Sequence, residues 1–474
     1  MRVFALVLIL ITGTLNSQIF NVDTVVNKGR FSNRLNIVYL GDGYTKNDLM
    51  KFQSDIIQLS SAFVSFEPFS HYKDFINIIR VDVISEESGV SHEQLFTETD
   101  CLNTPVMKVK NYFGTKFDAG SVHRLLGPYN YSNIFNVLTN NTPDYDLAFI
   151  VANTNYYGGS GGMFPTTSMN SGASAVLVHE FGHGFAGLGD EYSYPGSTPR
   201  ETPNTTKEIR RDSIRWNHWI NPATPVPTPD SGAYYGLIGL FEGAAYSPKG
   251  WYRPKYNCLM RSNGVPFCEV CAESLLMRLF DLVNPVDKYF PDSLKLDLSK
   301  KITFNLKLIK PQPNTIKVDW VLDNISIAKN IDSVIINDNL SAGKHILSAS
   351  VIDTTLLIKM PAHFTKHISI VKWEINVFKS NIEINSEENR LKIQIIPNPI
   401  EEFSIIEYKL EKAGYIKLEI IDMEGRIKVL DEGFKEEGLH KYMLNSELKE
   451  LIRGNYIINF ESDGMNFPIN VVKL

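Results

Sequence analysis

Up to about residue 286 the chain mixes solid apolar runs with helical spacing, and beyond it apolar and polar residues alternate. Leu35 to Leu40 is a short apolar run closed by Gly41-Asp42-Gly43, which predicts a strand followed by a turn. Lys46 to Phe63 carries helical apolar spacing behind Thr45, a capping residue, and predicts a helix. Ile76 to Ile84 and Leu147 to Ala152 predict two further strands. Tyr156 to Pro165 is rich in glycine, the composition of a loop that moves or is closely approached by another group. After it, Ala175-Val176-Leu177-Val178, Phe181, Phe185 and Leu188 describe a helix apolar on most faces, and therefore buried. Gly182 and Gly184 inside that helix each cost about 1 kcal/mol relative to alanine, so close packing or function is expected to keep them there. Tyr194 to Pro229, rich in proline and threonine, predicts irregular structure that Trp216 and Trp219 anchor by packing rather than by shaping a cleft.

In the second half, Ile302 to Leu308, Ile316 to Leu322 and Ile368 to Ile375 alternate apolar with polar residues, with turn residues between them. That repeated half-buried strand pattern predicts a β-sandwich with Trp320 in its core, serving as a spacer or, alternatively, binding carbohydrate or protein. Ile395 to Leu474 alternates again and predicts a small antiparallel β domain.

Length 474 suggests two to four domains, and 43% hydrophobic residues is ordinary for globular cores. A net charge of −6 over this length leaves no basic face, which argues against nucleic acid as a partner. At the N-terminus, Arg2, the apolar run Val3 to Ile11 and the small or polar residues up to Ser17 predict a signal peptide cleaved after Ser17. No other apolar run reaches about 20 residues, so the expectation is an exported, soluble chain without a transmembrane span, acting as a monomer. Cys101, Cys258, Cys268 and Cys271 in an exported chain suggest disulfides before a metal site, and three full pairings are open. A zinc site using all four is the lesser alternative, because the spacing lacks the paired CxxC of a zinc ribbon. A thioredoxin-like role for Cys268-Glu269-Val270-Cys271 is weaker still, without a βαβ setting around it.

The chemistry concentrates in His179-Glu180-Phe181-Gly182-His183 and Gly187-Leu188-Gly189-Asp190-Glu191-Tyr192. Histidines four apart on a helix share a face, so both imidazoles reach one metal ion while the glutamate stands beside it. A catalytic zinc takes three protein ligands and keeps one position for water, whose pKa falls to about 7. Glu180 is then the general base, taking the water's proton and handing it to the leaving amine. Gly187 and Gly189 permit a sharp turn back toward the metal, which makes Asp190 the first choice for third ligand and Glu191 the second. Negative charge developing on a peptide carbonyl calls for a donor, and Tyr192, Tyr246, Tyr252 and Tyr256 are candidates, Tyr252 slightly preferred.

His179 to Tyr192 resembles the signature of the IgA-peptidase-like family of bacterial zinc metallopeptidases. So do Leu35 to Thr45, Tyr252-Arg253-Pro254 and Asn257-Cys258-Leu259-Met260-Arg261, and the resemblance covers about residues 30 to 285. The motif is also similar to the metzincin pattern, with one departure. Gly187 and Asp190 fall four and seven residues after His183, where that pattern has three and six, which leaves the third ligand open between Asp190 and Glu191. The metzincin resemblance implies that Met260 forms a turn beneath the metal, a core methionine being the alternative. It also implies that the strand and loop before the metal helix hold extended substrate by backbone pairing. The last segment, with Pro397-Asn398-Pro399, Asp422 to Arg426 and Gly454-Asn455-Tyr456, resembles the C-terminal sorting domain of the type IX secretion system. That resemblance implies transport across the outer membrane and residence at the cell surface or in the medium.

The organisation expected is therefore a signal peptide over 1–17, an α/β zincin-like metallopeptidase domain over 18–285 and an Ig-like β-sandwich over 286–379. A linker over 380–390 and a small antiparallel β sorting domain over 391–474 complete it. The expected function is a secreted zinc endopeptidase acting on protein or peptide, with His179, His183 and Asp190 on Zn²⁺, Glu180 as base, and the type IX machinery as partner. The alternatives are a cell-surface binding protein with a weak or vestigial site, and hydrolysis of a non-peptide amide.

Overall fold

The apolar runs of the first half become the centre of one sheet. The computed structural model describes residues 19–194, 198–298, 300–337, 340–377, 392–400, 404–444, 451–462 and 464–473. The signal segment 1–17 and the linker 380–390 lie outside the described residues. Packing divides the chain into two units, the first holding the residues up to Asp287 together with Leu308–Lys317 and Val351–Ser369.

In chain order the first unit contains β1 (Val22–Val26), β2 (Leu35–Asp42), α1 (Leu49–Ser65), β3 (Ile76–Val81), α2 (Thr99–Asn103), α3 (Tyr131–Asn141) and β4 (Leu147–Ala152). It continues with β5 (Gly159–Ser160), β6 (Thr166–Thr167), α4 (Ala173–Ala186), β7 (Phe241–Ala244), β8 (Ser247–Arg253) and α5 (Glu269–Leu282). The six-stranded sheet has the order β1-β3-β2-β4-β6-β5, with β3, β2, β4 and β6 parallel and β1 and β5 antiparallel at the edges. Every residue of β2, β3 and β4 is buried, as a parallel sheet covered on both faces requires. Successive side chains point to opposite faces. Ile37, Tyr39, Phe149 and Val151 therefore join a core with α1, α4 and α5, whereas Val38, Leu40, Ala148 and Ile150 join one with α3.

Local chemistry sets the boundaries. Thr45 and Asp48 form a capping box over a single 3₁₀ turn, Lys46–Asp48, that leads into α1. The strand expected to reach Ile84 stops at Val81, because Val83 N–H bonds the Val81 carbonyl in a turn that ends the ladder. Arg30, Arg34 and Asn33 converge on Asp287 at the end of this unit, Arg34 Nη1 lying 2.9 Å from Asp287 Oδ1. The later segments are structural parts of it. Ile309 and Ile358 enter the main core, and Glu273 of α5 accepts the N–H groups of Lys359 and Met360.

The second unit is Lys288–Lys307, Val318–Ser350 and the described residues from Ile370 on. One sheet orders Lys295–Asp297, Ser369–Val377, Gly343–Asp353, Ile316–Leu322 and Ile325–Lys329; another orders Ser333–Ile336, Ile302–Leu308 and Val286–Phe290. Trp320 and Trp373 stack at 5.8 Å, and Phe304 meets Trp373 edge-on at 5.2 Å, so aromatic packing fills this core. From Lys392 onward the strands form a three-stranded and a four-stranded sheet, every pair antiparallel. Ile406, Tyr408, Leu418, Ile458 and Phe460 lie in a core drawn wholly from this segment. Asp422 accepts the N–H groups of Glu424 and Arg426, and Gly425 takes φ +81°, which makes Asp422 to Arg426 a tight turn. The molecule is thus multidomain, mixed α/β first and largely antiparallel β after. Among the described residues no helix is long and apolar enough to cross a membrane.

Candidate metal centre and active site

The helix α4 carries His179, Glu180 and His183 on one face, and Gly187 ends it in the left-handed conformation at φ +64°. That turn sends the chain back along the helix, with Leu188 N–H on the Gly182 carbonyl. Asn204 grips the returning strand by accepting from Gly189 N and donating to Gly189 O. Asp190 is thereby delivered to the histidines, its Oδ1 standing 3.2 Å from His179 Nε2 and 3.3 Å from His183 Nε2. The two Nε2 atoms are 3.0 Å apart. Each ring's other nitrogen faces a carbonyl, His179 Nδ1 at 3.0 Å from Leu259 O and His183 Nδ1 at 2.7 Å from Leu188 O. A carbonyl only accepts, so both N–H groups lie there and both Nε2 lone pairs point at each other and at a carboxylate.

Three acceptors converging without a donor is the geometry of a cation site, and this donor set suits zinc. Asp190 Oδ1 and Glu180 Oε2 are buried and lack a hydrogen-bond partner. Tyr246, in the turn between β7 and β8, donates to Asp190 Oδ2 and fixes the carboxylate. Burial pushes Glu180 above its ordinary carboxylate range, against the pull of His179 and His183. Burial disfavours the charge on His183 too, but Asp190 and Glu180 outweigh it and raise the imidazole to about 9, so a proton competes with a metal cation for its Nε2. For Asp190, burial loses to the two histidines, which hold the carboxyl well below the usual range.

A cavity of about 240 Å³ opens beside His179 and Glu180, lined also by Arg124, Tyr157, Tyr192 and Arg261. The glycine-rich loop closes over it: a Cβ on Gly161 would lie 2.5 Å from Glu180 Oε2, so a larger residue there would displace that carboxylate. At Gly159 the outer edge of β5 is already engaged, N–H to Arg124 O and C=O to Leu126 N, so backbone pairing with substrate is not open at that residue. Among the tyrosines, Tyr192 and Tyr246 reach the site. Tyr252, preferred from sequence, packs against the main core instead, and Tyr256 stacks on Tyr235 at 3.6 Å. Burial and the Asp190 charge both raise Tyr192, keeping its phenol protonated. Met260 is fully buried beneath α4, its sulfur against Gly182, where a Cβ would come within 2.9 Å. Trp216 is buried and donates to Gly239 O, and Trp219 donates to Glu273, so both anchor the irregular segment.

The cysteines do not pair; all four are free. Cys101 lies with His92, Asp118 and His123, while Cys258, Cys268 and Cys271 lie with Glu191. Counting cysteines missed both groups, because their other members are not cysteines and come from remote positions. Glu191, the second choice for third ligand, faces the sulfur group and not the histidines, with Cys271 Sγ 3.3 Å from its Oε1. Burial raises its carboxyl well above the ordinary range.

Compared with known proteins, the chain falls among the peptidases. The sequence model described as IgA Peptidase M64 matches residues 24–236 and 230–279, more than half of the chain, and the protein belongs to that family. No curated protein matches. Among solved structures, the crystal structure of the Pseudomonas aeruginosa CupB2 chaperone aligns over 40% of this chain and 100% of its own at 7% identity. Its TM-score of 0.13 is too low to bear on the fold.

Proposed function

We propose that this peptidase is an exported zinc-dependent endopeptidase, its zincin-like domain followed by an Ig-like sandwich and a sorting domain for type IX secretion. His179, His183 and Asp190 would hold the metal. The observation that carries this is the meeting of His179 Nε2, His183 Nε2 and Asp190 Oδ1 within 3.0 to 3.3 Å, with both Nδ1–H groups committed to carbonyls. Zinc, when bound, supplies Lewis acidity, acidifying water to a pKa of about 7 and polarising a carbonyl oxygen. Glu180 moves the proton: its buried Oε2 takes it from the attacking water and delivers it to the departing amine nitrogen. A raised carboxyl is suited to both halves of that transfer. Tyr246 positions Asp190, and Tyr192 on the cavity wall is our choice for donating to the carbonyl oxygen as it gains charge.

Export rests on the Val3 to Ile11 run behind Arg2 and on the Pro397-Asn398-Pro399, Asp422 to Arg426 and Gly454 to Tyr456 motifs. The substrate is a protein or peptide. Stripping the metal with a chelator and restoring it tests the proposal. Peptide cleavage should vanish with the metal and return on adding zinc, and cleavage that persists in metal-free protein would end it.

A further inference from the structure

We propose that Glu191, Cys258, Cys268 and Cys271 hold a second, structural zinc ion beside the metal helix, a site independent of whether the first centre is catalytic. All four side chains are buried, none more than 2% exposed. Cys258 Sγ and Cys271 Sγ are 3.7 Å apart. A disulfide would need about 2.05 Å, whereas two zinc–thiolate bonds of about 2.3 Å at a tetrahedral angle put their sulfurs about 3.8 Å apart. The 3.3 Å from Cys271 Sγ to Glu191 Oε1 suits a neighbouring edge of the same tetrahedron. Glu191 Oε2 is fully buried without a hydrogen-bond partner, an arrangement that is costly unless a cation meets it.

The backbone supports the sulfurs. Cys268 caps the N-terminus of α5 and Cys271 lies in its first turn, where the helix end carries partial positive charge. Cys268 N–H donates to Cys258 Sγ at 3.2 Å, and Asn204 orients Glu191 through its Oε1 at 2.8 Å. Four protein donors, three of them soft, describe a closed site selective for zinc over magnesium or calcium. The site bears on the first centre through the backbone. Glu191 follows Asp190, Glu191 N–H bonds the Met260 carbonyl at 2.8 Å, and the carbonyl that orients His179 belongs to Leu259, next to Cys258. An ion here therefore fixes both the peptide that presents Asp190 and the carbonyl that sets the His179 tautomer.

A different observation, the direction of lone pairs, points to a further site at His92, Cys101, Asp118 and His123, all buried. His92 Nδ1 faces the Pro105 carbonyl at 3.3 Å. His123 Nε2 faces Thr104 Oγ1, whose own proton goes to Asp100 O. Both N–H groups are thereby assigned, so His92 Nε2 turns its lone pair toward Cys101 Sγ at 3.3 Å and Asp118 Oδ2 at 3.8 Å. His123 Nδ1 does the same toward Asp118 Oδ1 at 3.0 Å. Asp118 Oδ2 has no hydrogen-bond partner. The stretch between β3 and α3 that this group ties together contains only the short helix α2 and a 3₁₀ turn, Ala119–Ser121, and the apolar cluster beside it is Val90, Phe117, Leu126 and Ala152. A zinc ion would supply the cross-link that so small a core does not.

Elemental analysis of the full chain, purified without chelator, tests both sites. Wild type should contain about three zinc ions, and Cys258→Ser/Cys271→Ser and His92→Ala/His123→Ala should each contain one fewer. A missing catalytic ion would lower every count by one and leave these differences intact. Wild type with no zinc overturns both sites, and a pair of substitutions that leaves the count unchanged overturns its own. Should a variant fail to fold, wild type still decides. After denaturation with chelator and no reductant all four cysteines should react with a thiol reagent, and reaction of only two would reveal a disulfide and overturn the sulfur site. Chelation should also expose the stretch from 86 to 130 to protease, and unchanged protection there would overturn the His92 site.

Discussion

Asp190 and Glu191 are adjacent in the chain and serve different clusters, because beyond the end of α4 successive side chains turn to different sides of the chain. Asp190 reaches His179 and His183, while Glu191 reaches Cys271 and Asn204. Cobalt substitution separates them. Asp190→Ala should abolish peptide cleavage and keep the thiolate-to-cobalt absorption, whereas Glu191→Ala should perturb that absorption; the opposite pattern would exchange their roles. The histidine pair and the glutamate were legible in the sequence because their geometry is local, one helical turn. Asp190 was legible through Gly187, whose left-handed conformation turns the chain back toward the helix. The role of Tyr246 in holding Asp190 and the membership of the two buried clusters were not. They join positions tens of residues apart, and no periodicity records which loops the fold brings together.

The helix α5 holds its neighbours through one carboxylate. Glu273, 4% exposed, accepts from His218 at 2.6 Å, from Trp219 at 2.9 Å, and from the N–H groups of Lys359 and Met360. Glu273→Ala strands those donors and should destabilise the first unit by about 3 kcal/mol, read as a lower unfolding midpoint in denaturant. Burial alone would raise this carboxyl, but the hydrogen bonds outweigh it and its pKa is lowered. A depressed folded pKa means that the stabilisation is complete above the unfolded value of about 4.3 and is lost as pH falls through the folded one. The gap between wild type and Glu273→Ala should therefore be widest near neutral pH and shrink below about pH 4; a gap independent of pH would show that the ionised carboxylate is not its source.

At the scale of the whole chain, the passage from a mixed α/β peptidase to antiparallel β modules could be read from the change in hydrophobic pattern, but the return of later segments to the first unit could not. Strand alternation looks the same whichever loop leaves the module, so Ile309 and Ile358 gave no sign that they complete the earlier core. A chain ending at Val283 should accordingly aggregate or lose cleavage, whereas one ending at Val377 should fold and cleave peptide in vitro. Equal activity of both would show that Leu308–Lys317 and Val351–Ser369 are dispensable. The last segment has a core of its own, from Ile393 to Val471, so fusing Ile395 to Leu474 to a signal-bearing reporter isolates its role. The reporter should leave the periplasm of the native host, and retention there would end the sorting proposal. The central claim is that Glu180 is the general base of a zinc peptidase, and Glu180→Ala tests it most directly. Measured together on the full chain, zinc content should equal that of wild type and peptide cleavage should fall by at least about 10²-fold; zinc retained with cleavage unchanged would contradict the account.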